Sequence, residues 1–279
     1  MTTANGTPAI APEILTFYGE TVDESGRLTS TADGILEMVR TQELLRRHLP
    51  EPPARVLDVG GGPGAHARWL VKDGFDVHLV DPVPRHVDAA RATGATVELG
   101  DARALTAGTG AYDVVLLLGP LYHLLQRQER LQAIAEARRV TRPGGLIAAA
   151  AIGRYASLFE HTATTWLGTN ERVREAVADI LATGVHEPGR KGFTSAYFHT
   201  PGQLTEEMTA AGLDEVQVYG IEGPGWGALK ATEQHTGQPL TPDTPLFASA
   251  LEAARLAEPH PELLATASHM LAITRTSTT

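Results

Sequence analysis

Val56-Leu57-Asp58-Val59-Gly60-Gly61-Gly62-Pro63-Gly64 is the stretch on which the reading of this 279-residue chain turns. Arg55–Val59 is a short apolar run and reads as a strand. A glycine turn follows, and then a run to Lys72 that reads as a helix. Glycines suit such a turn because the chain reverses sharply and a ligand must come close to bare backbone. Pro63 suits a first helical turn, where its missing amide hydrogen would have no acceptor. Alone, Gly60-x-Gly62-x-x-Ala65 fits any nucleotide loop between a strand and a helix, or a purely structural turn.

The segments on either side narrow this. Asp76–Val80, Thr96–Leu99, Asp113–Leu118 and Leu146–Ile152 read as further strands. Arg85–Thr93 and Glu129–Val140 read as helices between them, and Arg142-Pro143-Gly144-Gly145 as a turn. Asp113–Leu118 is almost wholly apolar, as expected of a central parallel strand covered on both faces. Strands and helices alternating at this spacing predict an α/β, doubly wound parallel sheet. Before it, apolar residues recur with helical period over Ala32–Leu49, and Pro50, Pro52 and Pro53 end that helix. Residues 1–12 are small and polar, which predicts an unanchored tail.

After the fifth strand the pattern loosens. Residues 154–198 read as helical with a loop around Gly184–Gly192. Pro201–Ala211 reads as a helix and Asp214–Ile221 as a strand. Gly223, Pro224, Gly225 and Gly227 read as a loop. Pro245–Leu256 reads as a helix and His269–Thr274 as a last strand. The expected organisation is one domain over 1–279. It divides into a cap (1–50), a cofactor-binding core (51–153), a lid insertion (154–198) and a C-terminal part of the sheet (199–279) carrying a second insertion (223–265).

Three aspartates fall at the carboxyl edges of successive strands: Asp58, Asp81 and Asp101. Ligands of such sheets bind at that edge. Asp81 is placed to accept both ribose hydroxyls of a nucleoside, and Asp101 to accept from an adenine amino group. S-adenosylmethionine (SAM) fits on charge grounds, because it has no phosphate and no basic residue stands between Asp58 and His66. NAD(P) could use the same loop, with its pyrophosphate at the helix N-terminus. Against it, no Tyr-x-x-x-Lys pair occurs and the chain has three lysines.

At this point the sequence resembles the class I SAM-dependent methyltransferases. The motifs are Val56–Gly64, Leu79-Val80-Asp81-Pro82, Gly100-Asp101-Ala102, Asp113–Leu118 and Arg142–Gly145, in the expected order over residues 50–152. Leu117-Leu118-Gly119-Pro120-Leu121-Tyr122-His123-Leu124, Thr194–His199 and Glu222–Trp226 resemble a bacterial group of these enzymes; Val185-His186-Glu187-Pro188 departs from that group. The resemblance implies a Rossmann-like sheet of seven strands, the last antiparallel. It also implies SAM contacts at Asp58, Gly60, Gly62, Asp81, Pro82, Asp101, Ala102, Leu118 and Gly119.

Methyl transfer needs a nucleophile positioned opposite a sulfonium, and a base where that nucleophile is a hydroxyl of high pKa. The segment after the fourth strand should face the methyl group. His123 is the candidate base or polar contact, with a structural histidine as the alternative. Tyr18 is the candidate closing residue of the N-terminal segment, and Arg27 a candidate to orient an acidic group. Tyr122, His161, Tyr197 and Trp226 are the candidate substrate contacts. Gly119-Pro120-Leu121-Tyr122 replaces the Asp/Asn-Pro-Pro-aromatic motif of enzymes that methylate exocyclic amines of nucleobases or glutamine, which argues against that class.

Composition bounds the rest. A net charge of −10 without a basic run disfavours nucleic acid, whose binding is driven by phosphate neutralisation. With no cysteine and dispersed histidines, no metal site is expected. The longest apolar run is too short for a bilayer and no signal-like start is read, so a cytoplasmic protein is expected, monomer or homodimer. The leading reading is transfer of a methyl group to an O or N atom of a small molecule, which would be a specialised metabolite. The competing readings are an RNA or protein methyltransferase and an NAD(P)-binding oxidoreductase.

Overall fold

The computed structural model describes residues 12–21, 24–188 and 193–278. The expected tail (residues 1–11) and the end of the expected loop (189–192) lie outside the described residues. The strands are β1 (Arg55–Val59), β2 (Asp76–Asp81), β3 (Thr96–Leu99), β4 (Tyr112–Leu117), β5 (Thr141–Ile152), β6 (Val185–His186), β7 (Ala196–Tyr197), β8 (Gln217–Gly220) and β9 (His269–Arg275). Seven of them form one sheet in the order β3-β2-β1-β4-β5-β9-β8, and β6 and β7 pair separately. Strands β1 to β5 are parallel, and β9 runs antiparallel to both β5 and β8. The last strand is therefore the reversed one, as expected.

The helices are α1 (Pro12–Thr16), α2 (Ala32–His48), α3 (Ala65–Lys72), α4 (Pro84–Ala90), α5 (Arg127–Val140), α6 (Ala156–Ala163), α7 (Trp166–Thr169), α8 (Glu171–Thr183), α9 (Pro201–Ala210), α10 (Trp226–Thr236), α11 (Pro245–Ala257) and α12 (Pro261–Leu264). Thr31 caps α2 by accepting from the Gly34 amide, and Thr200 with Gln203 closes a capping box on α9.

Successive strand residues point to opposite faces. Leu57, Val115 and Ile147 therefore pack with α5 and α9 through Ile134, Ala137, Leu204 and Met208. Val56, Val114, Leu116 and Leu146 pack with α2 and α3 through Leu44, Leu45, Trp69 and Leu70. A smaller cluster joins α2, α10 and α11 through Leu36, Trp226, Leu229 and Phe247. Another joins Ile152, Ala156, Ile180, Ala196 and Phe198.

Three expectations change. The stretch 154–198, read as helix and loop, also holds the paired strands β6 and β7. Arg142–Gly145 is not a turn before β5 but its opening, which continues the strand across a register shift against β4. Residues 223–227 are not simply a loop, since a short 3₁₀ turn at Gly223–Gly225 leads directly into α10. No helix among the described residues is long and apolar enough to cross a membrane.

Candidate functional site

The carboxyl edges of β1, β2 and β4 converge on the glycine turn. Gly60, Gly62 and Gly64 all take positive φ (67°, 58° and 88°), which L side chains rarely adopt. A side chain on Gly60 would press within 3.0 Å of Pro120, and one on Gly119 within 2.8 Å of the Gly60 carbonyl oxygen. The glycines thus let the turns after β1 and β4 touch. Between them opens a cavity of about 310 Å³, the strand-edge cavity. Asp58, Gly60, Gly62, Asp81, Pro82, Asp101, Ala102, Leu118, Gly119, Tyr122, His123 and Tyr18 all line it. Every residue expected to bind the cofactor is therefore on this wall.

The three aspartates differ in state. Asp58 is fully buried and neither of its carboxylate oxygens has a hydrogen-bond partner among the described residues. Burial, with Asp81 nearby, pushes its pKa up to about 7. Asp81 holds the turn together: its carboxylate accepts from the Gly62 amide at 2.8 Å and the Val83 amide at 2.9 Å, with His86 Nδ1 at 3.1 Å. Asp101 forms a two-pronged pair with Arg103, Nη2 lying 2.7 Å from one oxygen and Nε 3.0 Å from the other. An adenine amino group would have to share that carboxylate, a competition invisible in the sequence.

Tyr18 and His123 share a hydrogen bond of 2.9 Å. Burial lowers His123 to about 4 and raises the Tyr18 phenol well above its usual value. Both are neutral near pH 7, and so low a pKa makes His123 a weak base. Phe17, Tyr122 and Phe193 surround the pair: Phe193 lies 5.8 Å from the His123 ring and 6.0 Å from Phe17, and Tyr122 lies 4.6 Å from His123.

Behind this aromatic wall lies a larger cavity of about 870 Å³, bounded by α2, α6, α8, β6 and the start of β9. Tyr122, His161 and Trp226, three of the candidate substrate contacts, line it. Trp226 is also core: it is 2% exposed, and its indole donates to the Thr266 carbonyl at 2.9 Å. Tyr197 is the exception. It lines neither cavity, because Arg130 lies 3.8 Å over its ring and the Arg130–Glu207 ion pair fixes it beneath α9. Its expected substrate contact is therefore withdrawn.

Among the described residues, four line both cavities: Tyr18, Glu24, Arg27 and Tyr122. Arg27 donates to Glu24 at 2.6 Å and grips Glu37 with two bonds, at 2.7 and 2.9 Å. Sequence reading missed Glu24, Glu37, His86, Phe17 and Phe193. The first four sit in no motif, and Phe193 precedes one by a single position. Glu37, Glu222 and His269 lie close enough together to hold a cation, but Arg27 already occupies Glu37 and His269 hydrogen-bonds Glu222 at 2.5 Å.

An orphaned buried carboxylate beside glycine backbone suits a phosphate-free ligand that brings its own cation and donors. It does not suit a pyrophosphate, which would face Asp58 and Asp81. The comparisons with known proteins agree. Residues 56–145 match a methyltransferase domain family. An uncharacterized methyltransferase of Mycobacterium tuberculosis is 37% identical over 99 residues, covering 35% of this chain and 39% of that protein. A ubiquinone biosynthesis O-methyltransferase of Methylocella silvestris is 28% identical over 183 residues, covering 63% of this chain and 64% of that one. The chain thus spans less than two thirds of the length of either relative. A SAM-dependent methyltransferase structure from Methanosarcina mazei shares the fold with a TM-score of 0.54 at 15% identity, over 84% of this chain and 97% of that one. The chain carries a methyltransferase domain at residues 56–145, set in the fold of SAM-dependent methyltransferases.

Proposed function

We propose that this chain transfers the methyl group of SAM to an oxygen or nitrogen atom of a small molecule, held in the larger cavity. The observation that carries this reading is the junction at Tyr18, Glu24, Arg27 and Tyr122, where a nucleoside-type cavity meets a second, larger one. When bound, SAM supplies an electrophilic methyl group on a sulfonium sulfur. Gly60 and Gly62 would admit its amino acid tail and ribose, and Asp81 would hold the ribose hydroxyls. Asp101 and Ala102 would border the adenine, and Leu118 and Gly119 the methyl end. Asp58 would compensate positive charge at the buried base of the site.

The chain's own residues then position and exclude. Phe17, Tyr18, Tyr122 and Phe193 keep water from the junction, and fixed geometry of this kind carries most of the rate in a displacement. The Tyr18–His123 bond holds both side chains at the junction, where they would orient the acceptor rather than remove a strongly held proton. Residues 154–188 and 193–198 act as a lid over the larger cavity and residues 24–50 as part of a cap. A small acceptor is favoured because the larger cavity has the size of a small-ligand site. An acidic chain also offers a polyanion little.

Calorimetry with S-adenosylhomocysteine (SAH), SAM and NADH tests the reading. SAH and SAM should bind in the micromolar range or tighter, and NADH should not. NADH binding without either sulfur ligand would replace the proposal with an oxidoreductase, and strongly salt-dependent RNA binding would favour a polymer substrate.

A further inference from the structure

The lining of the larger cavity combines two chemistries. Part of it is apolar and aromatic: Phe17, Tyr122, Ile152, Val177, Phe193 and Phe198. The rest is largely ionic, and its buried or half-buried cations share a pattern. Arg27 lies between Glu24 (2.6 Å) and Glu37 (2.7 Å). Lys230 lies between Glu160 (3.1 Å) and Asp33 (3.4 Å). His269 Nδ1 faces Glu222 (2.5 Å) and Glu37 (3.5 Å), and these carboxylates raise its pKa against the effect of burial. Each of these three cations is thus flanked by two carboxylates, Glu37 being shared, and the wall carries more negative than positive charge. Arg172 and Glu187, both exposed, add one charge of each sign. In addition, His161 presents a buried Nδ1 that has no hydrogen-bond partner among the described residues.

We propose that the acceptor in this cavity is an amphipathic amine that enters as its ammonium ion, with Glu24 taking its proton at the junction. This rests on the SAM reading of the strand-edge cavity and narrows its acceptor from oxygen or nitrogen to nitrogen. A concave wall with an excess of one sign of charge concentrates ligands of the opposite charge. Aromatic faces stabilise an ammonium further. A carboxylate acceptor would be repelled, and a neutral alcohol would gain nothing from the excess charge.

An ammonium nitrogen has no lone pair. It must release one proton, leaving the N–H electron pair on nitrogen, before it can act as a nucleophile. Glu24 is the one carboxylate among the described residues that lines both cavities. Burial raises its pKa despite Arg27, so it can receive that proton and become a neutral acid. His123 is the weaker candidate for this role, since burial holds it at about 4.

The test uses SAH-loaded protein at pH 7 and three probes of one shape: 2-(1-naphthyl)ethylamine, 2-(1-naphthyl)ethanol and 1-naphthylacetate. The amine should bind at least tenfold tighter than the alcohol, and the acetate weakest. Glu160→Gln should weaken the amine several-fold and leave the alcohol unchanged. With SAM in place of SAH, Glu24→Gln should slow SAH formation from the amine at least a hundredfold, a loss larger than any change in SAH affinity. Equal binding of amine and alcohol, or no binding of any probe while SAH binds, overturns the amine assignment and leaves the SAM reading standing. Equal formation rates remove Glu24 from its role. Failure of SAH itself to bind overturns the reading beneath both.

Discussion

The two cavities of this molecule are built in opposite ways. The strand-edge cavity takes most of its wall from the turns that directly follow β1, β2, β3 and β4, so its residues come in short contiguous motifs. The larger cavity takes its wall from the cap, α2, α6, α8, the β6–β7 segment, α10 and the start of β9. The first is a property of backbone topology, which brings any parallel sheet's turns together at one edge. The second is a property of long-range packing between insertions. A cofactor common to many enzymes can be held by the former, whereas an individual acceptor must be recognised by the latter.

Removing the keystone of the strand-edge cavity should have the largest effect. Asp81 both faces the cavity and anchors the Gly62 and Val83 amides, so Asp81→Ala loses the ribose contact and loosens the turn. SAH affinity should fall about a hundredfold, roughly 2.7 kcal/mol by titration calorimetry. A change below about threefold would mean that the ribose lies elsewhere.

The next effect is a pH dependence seated at Asp58. Its pKa of about 7 in the free protein means that a cationic ligand binds the ionised form, and binding pulls the pKa down. SAM affinity should therefore rise with pH through 7 and level off above it, by about tenfold between pH 6 and pH 8. The same raised carboxyl makes the free protein less stable as pH rises through 7, so the melting-point gain on adding SAM should be larger at pH 8 than at pH 6. Asp58→Asn should flatten both profiles, and an unchanged slope would place the effect on another group.

The border between the cavities should respond less. Tyr18→Phe leaves the half-buried His123 Nε2 without its partner and should cost about 1 kcal/mol of stability. It should weaken both acceptor binding and SAH binding, because Tyr18 belongs to both walls. Tyr197→Phe should do least, under about 0.5 kcal/mol and with no change in acceptor affinity, since the ring packs on Arg130 away from both cavities. A large change in acceptor affinity with this variant would mean that the segment moves to meet the ligand.

This contrast also explains what the sequence disclosed. Strand β4 was legible because burial on both faces leaves the continuous apolar run Val114-Val115-Leu116-Leu117, and β1 and β2 from shorter apolar stretches that end at turn residues. The reversed β9 was expected from the family resemblance and not from its own residues. Helix α10 was hidden because Gly223-Pro224-Gly225 and Gly227 look like loop, although only the first three form the 3₁₀ turn and Gly227 lies within the helix. Asp58, Asp81 and Asp101 were legible from their places at strand ends. Their different states were not, because Arg103, His86 and the glycine amides act through space. Tyr197 misled for a related reason: it sits in a motif of the family, but Arg130, 67 positions earlier, decides which way its ring packs.

The most direct test of the two-cavity account is a crystal structure with SAH bound. The account predicts ribose oxygens on Asp81 and the sulfur at the junction, within contact distance of Tyr18 or Tyr122 and open toward the larger cavity. SAH lying with its sulfur turned away from that junction, or bound in the larger cavity, would contradict it.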